Sequence, residues 1–266
     1  MLQELKINQI REAQNSAFPK VIQFQSTHLE LKLHKSVQKQ KTTNVIPNLN
    51  ITTSQDYIKP KIRIPVSPLT KAEIQQAKNY FLTKPERFAN QNIRDYTIFV
   101  MGINMARRAG DLLNLRLHHI LDHNNNFKTH ITIKEQKTGK PIQIKITPII
   151  QEALTAYIQT IDNLELTDPI FPSRNKDTNG NKKPMTVKNF YKKMQTLKEE
   201  LELSKAIGTH SMRKSWASNI VEQNLDNPFI IEEVSEALNH SSTKITRRYI
   251  GLTQQKMDDL FENNPL

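Results

Sequence analysis

The sequence has no cysteine and only six glycines in 266 residues, and each scarcity excludes a kind of chemistry. Without cysteine the chain can form neither a disulfide nor a thiolate metal site, and it has no cysteine nucleophile. Neither a Walker-type run nor a dinucleotide fingerprint is present, so we expect no nucleotide energy source. No apolar run approaches the length that spans a bilayer, and the first residues lack the apolar stretch of a signal peptide.

Positively charged residues outnumber negatively charged ones. The chain carries 38 Lys+Arg against 26 Asp+Glu, a formal net charge of +12. An excess of this size favours a polyanionic partner, either nucleic acid or an anionic membrane surface. Because the sequence lacks membrane segments, it favours nucleic acid.

The first quarter of the chain differs from the rest. Residues 1–67 contain ten basic and four acidic residues, so their net charge of +6 is half of the net charge of the whole chain. Residues 38–56 have the polar composition of a linker. Two interpretations are equally compatible with this pattern: a solvated arm, or a basic arm that follows DNA phosphates.

The remaining chain is predicted to be α+β and mostly α-helical, with one small antiparallel β-sheet. Pro65–Pro68 marks the border, and Thr70 with Glu73 forms a capping-box pattern that opens a helix. Helical patterns cover about 70–83, 90–106, 111–115, 148–162, 186–202, 208–224, 230–239 and 253–263. Residues 174–183 are predicted to be a polar surface loop.

A β-hairpin is predicted in the middle of the chain. His130–Lys134 and Pro141–Ile146 each alternate isoleucine with polar residues, and Gln136–Lys140 between them contains a glycine suited to a turn. The hairpin therefore carries lysines at its tip.

Two short motifs near the end of the chain suit phosphodiester chemistry. His210 and Arg213 are three residues apart on a predicted helix, so they share a face, and arginine matches phosphate oxygens in pairs. Tyr249 follows His240 by nine residues and is directly preceded by arginines. From these residues alone, a surface His/Arg pair and a half-buried packing tyrosine remain the simpler interpretations.

A third motif is a tandem arginine in an apolar setting, Arg107–Arg108, followed by Asp111. Burying such arginines is costly unless an anion lies nearby. Asp111 is a candidate internal partner, and a carboxylate can also orient a guanidinium that faces a substrate.

Together these motifs resemble those of the tyrosine recombinases, the phage integrase family. Arg108–Leu112 is similar to the first arginine motif, and Lys137–Lys140 resembles the turn with the catalytic lysine. His210–Arg213 matches His-x-x-Arg, and Leu238–His240 resembles Leu-Gly-His with asparagine in place of glycine. Tyr249 follows at the usual distance. The resemblance covers about residues 68–250.

The resemblance implies an activity and a set of roles. The protein would be a site-specific recombinase in which Tyr249 attacks the scissile phosphate and forms a 3′-phosphotyrosyl bond. Arg108 and Arg213 would stabilise the charge of the transition state, and Lys137 would protonate the leaving 5′-oxygen. The supporting roles are proton transfer at the tyrosine (His210), a hydrogen bond to the phosphate (His240) and orientation of the arginines (Asp111).

The family also implies partners and an organisation. It acts without a metal or other cofactor, on double-stranded DNA, as a homo-oligomer (a tetramer on DNA), in some cases with DNA-bending proteins. We expect a cytoplasmic, nucleoid-associated protein that serves a mobile element. Residues 1–67 would be a basic arm or reduced core-binding region, 68–250 the catalytic domain, and 251–266 a tail helix that docks on its own core or on a neighbouring protomer.

Two other functions remain open at this point. One is a type IB-like topoisomerase, and the other is a catalytically weak or inactive relative that only binds DNA. The histidines at 118, 119 and 123 suggest a metal site only weakly, because an asparagine-rich loop follows them and no further ligand is evident.

Overall fold

A computed structural model describes residues 65–83, 89–251 and 262–263 of the chain. All of them fall within one unit, Lys61–Leu266. The predicted basic arm before residue 65 and nearly all of the predicted tail helix over 253–263 lie outside the described residues.

Residues 65–83 and 89–251 form nine α-helices and two antiparallel β-hairpins. The helices are α1 (Lys71–Leu82), α2 (Ala89–Met105), α3 (Ala109–Leu113), α4 (Leu117–Ile120), α5 (Pro148–Ile158), α6 (Val187–Glu200), α7 (Thr209–Gln223), α8 (Ile230–Ala237) and α9 (Thr243–Tyr249). The strands are β1 (His130–Lys134), β2 (Pro141–Lys145), β3 (Pro172–Lys176) and β4 (Lys182–Pro184). The prediction of a mostly helical α+β chain is confirmed.

Helix α1 begins with the predicted capping box. Thr70 Oγ1 accepts a hydrogen bond from the Glu73 backbone N–H at 3.2 Å, and Glu73 Oε2 accepts one from the Thr70 N–H at 2.7 Å. These bonds satisfy two amide groups that an uncapped helix start would leave without partners. Lys205 forms an ion pair with Glu73 and thereby ties this helix start to the segment that precedes α7.

The predicted first hairpin is present, formed by β1 and β2. Ile131 pairs with Ile144 and Ile133 with Ile142, so the isoleucines lie on one face. Ile131 is fully buried in the core. The turn is closed by a hydrogen bond from the Gly139 N–H to the Glu135 carbonyl at 2.8 Å, and Gly139 has a φ of 67°, which favours glycine. The turn therefore projects Lys137 from a rigid base.

The second hairpin corrects the prediction of a loop over 174–183. Strands β3 and β4 pair there, with Pro172 opposite Pro184 and Lys176 opposite Lys182. Their residues are mostly polar and none is buried, so the two strands lack the alternation of apolar and polar residues that identifies a strand in a sequence.

Helix α2 is the centre of the main core. It packs against α1, α5 and α7, and Ile98, Phe99 and Met101 have no exposed surface. The side chain of Thr97 donates a hydrogen bond to the Ala153 carbonyl of α5 at 2.9 Å. Because α2 is covered on several sides, its C-terminal end is held firmly at the arginine motif that follows it.

A smaller hydrophobic cluster joins α7, α8 and α9. Its buried members are Ala106, Ala217, Ile230, Val234 and Leu238. Trp216 and Tyr249 pack against it, which agrees with the packing role expected of tyrosine from sequence alone. Across the part of the chain that the structure describes, none of the helices combines the length and apolarity that crossing a membrane requires.

Replacing Gly102 should destabilise the fold, because α2 and α7 meet closely there. A Cβ at Gly102 would lie 2.3 Å from Met212 Sδ and 3.1 Å from Met212 Cβ. We expect Gly102→Ala to lower the free energy of unfolding by about 1–3 kcal/mol through overpacking, as measured by urea denaturation. In a Met212→Ala background the same change should cost less. A wild-type unfolding midpoint for Gly102→Ala would contradict the close approach.

Candidate active site

Two adjacent arginines leave the loop between α2 and α3 in different directions. Ala106 before them has a φ of 55°, a conformation that residues other than glycine rarely adopt. Arg107 is buried, and it donates hydrogen bonds to the carbonyls of Met105 (at 2.9 Å) and Ala237. The side chain of Arg108 keeps 20% exposure. This unusual turn thus separates an arginine held inside the fold from one that can reach a ligand.

The carboxylate of Glu135 lies between three guanidinium groups. Its Oε1 is 2.9 Å from Arg108 Nη1, 3.5 Å from Arg107 Nη1 and 3.9 Å from Arg213 Nη1. Burial alone would raise the pKa of Glu135, but the hydrogen bond from Thr138 and the charge of Arg108 bring it below its usual value. The carboxylate is therefore ionised at neutral pH and offsets part of the arginine charge.

The other oxygen of Glu135 links two loops. Oε2 accepts hydrogen bonds from Thr138 Oγ1 at 2.8 Å and from Asn239 Nδ2 at 2.9 Å. Thr138 is next to Lys137 in the hairpin turn, and Asn239 is next to His240. One buried carboxylate therefore connects the arginines, the lysine turn and the histidine loop.

Asp111 fastens the start of α3 to the same hairpin. Its Oδ1 accepts a hydrogen bond from the Gln136 backbone N–H at 2.8 Å, and its Oδ2 is 4.0 Å from Arg108 Nη1. A Cβ at Gly110 would lie 2.9 Å from Gln136 Oε1, so the glycine permits this close approach. Asp111 is the internal partner of Arg108 that the sequence suggested, although Glu135 is the nearer one.

Lys137 and His210 line a cleft of about 180 Å³ together with Arg108 and Asp111. Both side chains are exposed. Partial burial and the charges of Arg213 and Arg108 lower the pKa of His210. Its imidazole is therefore mostly neutral at pH 7 and can accept a proton.

Arg213 is one turn after His210 on α7, and only 2% of its side chain is exposed. Its Nη1 donates to the Ala106 carbonyl at 2.8 Å, and its Nη2 donates to the Leu238 carbonyl at 2.5 Å. Burial lowers the pKa of Arg213, but a guanidinium titrates so far above neutrality that the group stays charged. Arg213 therefore brings a fixed positive charge to the place where the loop before α3, the base of the first hairpin turn and the loop after α8 meet.

His240 lies against the ring of Tyr249. The ring centroids are 5.2 Å apart at 75°, an edge-to-face arrangement. His240 Nδ1 is hydrogen-bonded to Thr246 Oγ1 at 2.9 Å, which fixes the imidazole. Burial and the charge of Arg213 lower the pKa of His240 to about 4, so it is neutral at pH 7. A neutral imidazole with one nitrogen occupied can present the other nitrogen to a ligand.

Tyr249 ends α9 with its hydroxyl directed inward. Its Oη is buried without a hydrogen bond of normal geometry to the described residues, and the guanidinium of Arg213 lies near it. Burial raises the pKa of Tyr249, and the charges of Arg213 and Arg108 oppose that rise. A buried hydroxyl without a partner is uncommon and costs free energy, so this group is a candidate to act on a ligand that enters the site.

The structure brings all seven predicted residues into one region: Arg108, Asp111, Lys137, His210, Arg213, His240 and Tyr249. The motif analysis missed Glu135, the buried state of Arg107 and the contact of Asn239. Glu135 had a usable signal, because it continues the alternation of Ile131 and Ile133 and so belongs to the buried face of its strand.

The structure explains why the histidines at 118, 119 and 123 gave only a weak indication of a metal site. Helix α4 ends at Ile120, so His119 and His123 do not share a helical face. The ring of His119 instead accepts a hydrogen bond from the Arg116 N–H at 2.9 Å. Among residues 65–83, 89–251 and 262–263, no three histidine or acidic side chains lie together in a way that could hold a metal ion.

Comparison with known proteins defines the class to which this fold and site correspond. The model of the phage integrase family matches residues 68–256, and the chain belongs to that family. The chain is 30% identical to the probable integrase/recombinase YoeC of Bacillus subtilis (strain 168) over 190 residues, which are 71% of this chain and 91% of YoeC. It is 25% identical to the tyrosine recombinase XerD of Halalkalibacterium halodurans over 130 residues, 46% of this chain and 40% of XerD.

Solved structures share the fold at lower identity. The XerA recombinase matches with a TM-score of 0.54 at 17% identity, covering 77% of this chain and 65% of XerA. The XerH recombinase, solved on a palindromic difH substrate after cleavage, matches with a TM-score of 0.53 at 19% identity, covering 74% of this chain and 53% of XerH. The chain thus spans less than two thirds of these two structures.

The lowered pKa of His240 should make stability depend on pH. A histidine in the unfolded chain binds its proton near pH 6.5, but His240 in the folded chain binds it near pH 4. Between these values the unfolded state holds more protons, so stability falls with falling pH by up to about 1.4 kcal/mol per unit. In urea unfolding from pH 6.5 to 4.5, wild type should therefore lose more stability than His240→Gln.

The control for this experiment is His123→Gln at an exposed histidine. It should follow the wild-type pH dependence. Parallel curves for wild type and His240→Gln would contradict the burial of a neutral imidazole at position 240.

Proposed function

We propose that this chain is a site-specific recombinase that cuts and rejoins double-stranded DNA through a covalent 3′-phosphotyrosyl intermediate. The observation that carries the proposal is the buried hydroxyl of Tyr249, which has no hydrogen bond of normal geometry and lies beside Arg213 and Arg108. A phosphodiester bound by these arginines would be placed next to that hydroxyl. Membership of the phage integrase family supports the same reaction.

The reaction is a transesterification in which no phosphate bond energy is lost. Tyr249 Oη bonds to the phosphorus, the bond to the 5′-oxygen breaks, and the DNA is left with a 3′-phosphotyrosyl end and a 5′-hydroxyl. His210 takes up the phenolic proton, and Lys137 gives a proton to the leaving 5′-oxygen. Attack by the same or another 5′-hydroxyl reverses these steps and releases Tyr249.

The arginines supply the electrostatic part of catalysis. Arg108 and Arg213 stabilise the negative charge that builds on the non-bridging oxygens, a contribution worth about 10²–10³-fold per donor in other enzymes. His240 hydrogen-bonds the phosphate. Asp111 keeps Arg108 in place through its own bond to the hairpin turn.

Fixed donors suit this reaction, because they need not reorganise as charge develops. Arg213 is already held by two backbone carbonyls and Arg108 by two carboxylates. The raised pKa of Tyr249 keeps the phenol protonated, and therefore a poor nucleophile, until a phosphate and the neighbouring bases are in position.

The partner is double-stranded DNA, held with help from the net charge of +12. Assembly as a tetramer on paired sites, with accessory DNA-bending proteins in some reactions, is part of the proposal. The proposal also includes a domain organisation: a basic arm or reduced core-binding region over 1–67, a catalytic domain over 68–250 and a tail helix over 251–266. The names integrase/recombinase for YoeC and transposon integrase for a structural neighbour support a role in the integration or excision of a mobile element.

A nicked suicide substrate tests the nucleophile. Because the nick lets the cleaved end diffuse away, wild type should accumulate a covalent protein–DNA adduct on denaturing gels. Tyr249→Phe should form none, since it lacks the attacking oxygen. Tyr191→Phe makes the same change on an exposed ring of α6 and should match wild type. An adduct with Tyr249→Phe would show that another residue attacks.

The same assays separate the competing functions. Wild-type protein that binds DNA without forming an adduct would be a non-catalytic relative. Relaxation of a plasmid that lacks a special site, without strand exchange, would identify a topoisomerase.

Removing metal ions should leave cleavage unchanged, because arginine, lysine and histidine side chains supply the positive charge and protons that a metal would provide. Adduct formation is compared in EDTA and in EDTA already saturated with Mg²⁺, which controls for effects of the chelator itself. A loss of cleavage in EDTA that added Mg²⁺ restores would contradict this mechanism.

A further inference from the structure

We propose that Glu135 and Asn239 form a positioning pair that sets the geometry of the arginines, the lysine turn and the histidine loop during DNA cleavage. This inference rests on the proposed recombinase function. Neither side chain would touch the reacting atoms, so both act through the residues that they hold.

The first observation is how Glu135 is shared. Its Oε1 faces all three arginines, while its Oε2 accepts hydrogen bonds from Thr138 and Asn239. The buried carboxylate has ion pairs on Oε1 and hydrogen bonds on Oε2, and both sets of contacts restrict its position. Movement of the carboxylate would therefore displace Arg108 and the Lys137 turn together.

The second observation is that the end of α8 is held at three successive residues. The Ala237 carbonyl accepts from Arg107, the Leu238 carbonyl accepts from Arg213, and the Asn239 amide donates to Glu135. The last carbonyls of a helix have no partner inside it and carry partial negative charge, so arginines suit them. Asn239 adds a contact at the next residue. There the side-chain amide donates a hydrogen bond, whereas at Ala237 and Leu238 the backbone carbonyls accept one.

The third observation concerns the backbone at Asn239. Its φ is 54°, in the left-handed region that glycine adopts freely and asparagine tolerates better than most residues. Asparagine is thus compatible with a position that needs this backbone, and it adds an amide that glycine lacks. The amide contact gives a physical reason for asparagine at this position.

The attachment leads directly to the nucleophile. His240 follows Asn239, and its imidazole packs edge-on against Tyr249. A shift at Asn239 would therefore reach both the phosphate-binding histidine and the tyrosine. Displacements of about 1 Å can cost on the order of 100-fold in rate.

The test is Asn239→Gly, which keeps the backbone conformation and removes only the amide. The matched control is Asn163→Gly, since Asn163 is exposed and has a φ of 53°. Single-turnover cleavage of the nicked substrate and DNA affinity are measured for both variants. We expect Asn239→Gly to cleave about 10-fold more slowly or worse, with DNA affinity unchanged within about 2-fold. Asn163→Gly should match wild type in both measurements.

A double variant shows whether Asn239 acts through Glu135. Glu135→Gln keeps the size of the side chain and removes its charge, and we expect cleavage to slow by about 100-fold. Adding Asn239→Gly to it should cost less than about 2-fold more, because the contact is already weakened. Penalties that multiply would overturn the pairing. If Glu135→Gln does not fold, the rate of Asn239→Gly decides the proposal alone.

The outcomes separate the two proposals. If wild type cleaves DNA and Asn239→Gly cleaves it equally fast, the positioning role is overturned and the recombinase function stands. A fall in rate matched by an equal fall in DNA affinity also overturns it, because the residue would then serve binding. A wild-type chain that forms no adduct on its own DNA site overturns the function, and the positioning role with it.

Discussion

The buried carboxylate of Glu135 is the contact on which the rest of the site depends. Three guanidinium groups crowded together repel one another, and burial with the charge of Arg213 lowers the pKa of Arg107 to about 10. Glu135 and Asp111 offset two of the three positive charges. One arginine charge is left over, and Lys137 in the same cleft adds another. The site is therefore biased toward an anion.

Local sequence patterns predicted the elements that carry the site, because their signals are local. The capping box at Thr70 and the isoleucine alternation of the first hairpin both appear in the structure as expected. The β3–β4 hairpin was missed, since its polar strands lie at the surface and bury no stripe of apolar residues. Helix α9 was also missed as a separate element, because its seven residues are mostly polar or charged and show no apolar stripe.

The meeting of Arg108, Lys137, Arg213 and Tyr249 was predictable only through family resemblance. These residues come from distant segments, and their approach depends on tertiary packing such as that of α2 against α7. The contact between Asn239 and Glu135 was beyond sequence reasoning, since it joins residues 104 positions apart whose approach depends on tertiary packing. Glu135 itself was within reach, because its place in the strand alternation made a buried carboxylate predictable.

The two hydrophobic clusters divide the site between two packing units. The hairpin and most of α2 belong to the large core, whereas Tyr249 packs on the small cluster of α7, α8 and α9. Small clusters with few buried contacts open at lower free energy than a main core does. We therefore expect the segment that carries Tyr249 to open at lower free energy than the hairpin and the large core. In hydrogen exchange, the amides of α9 would lose protection before those of α2, and Tyr249 would belong to a separately folding part.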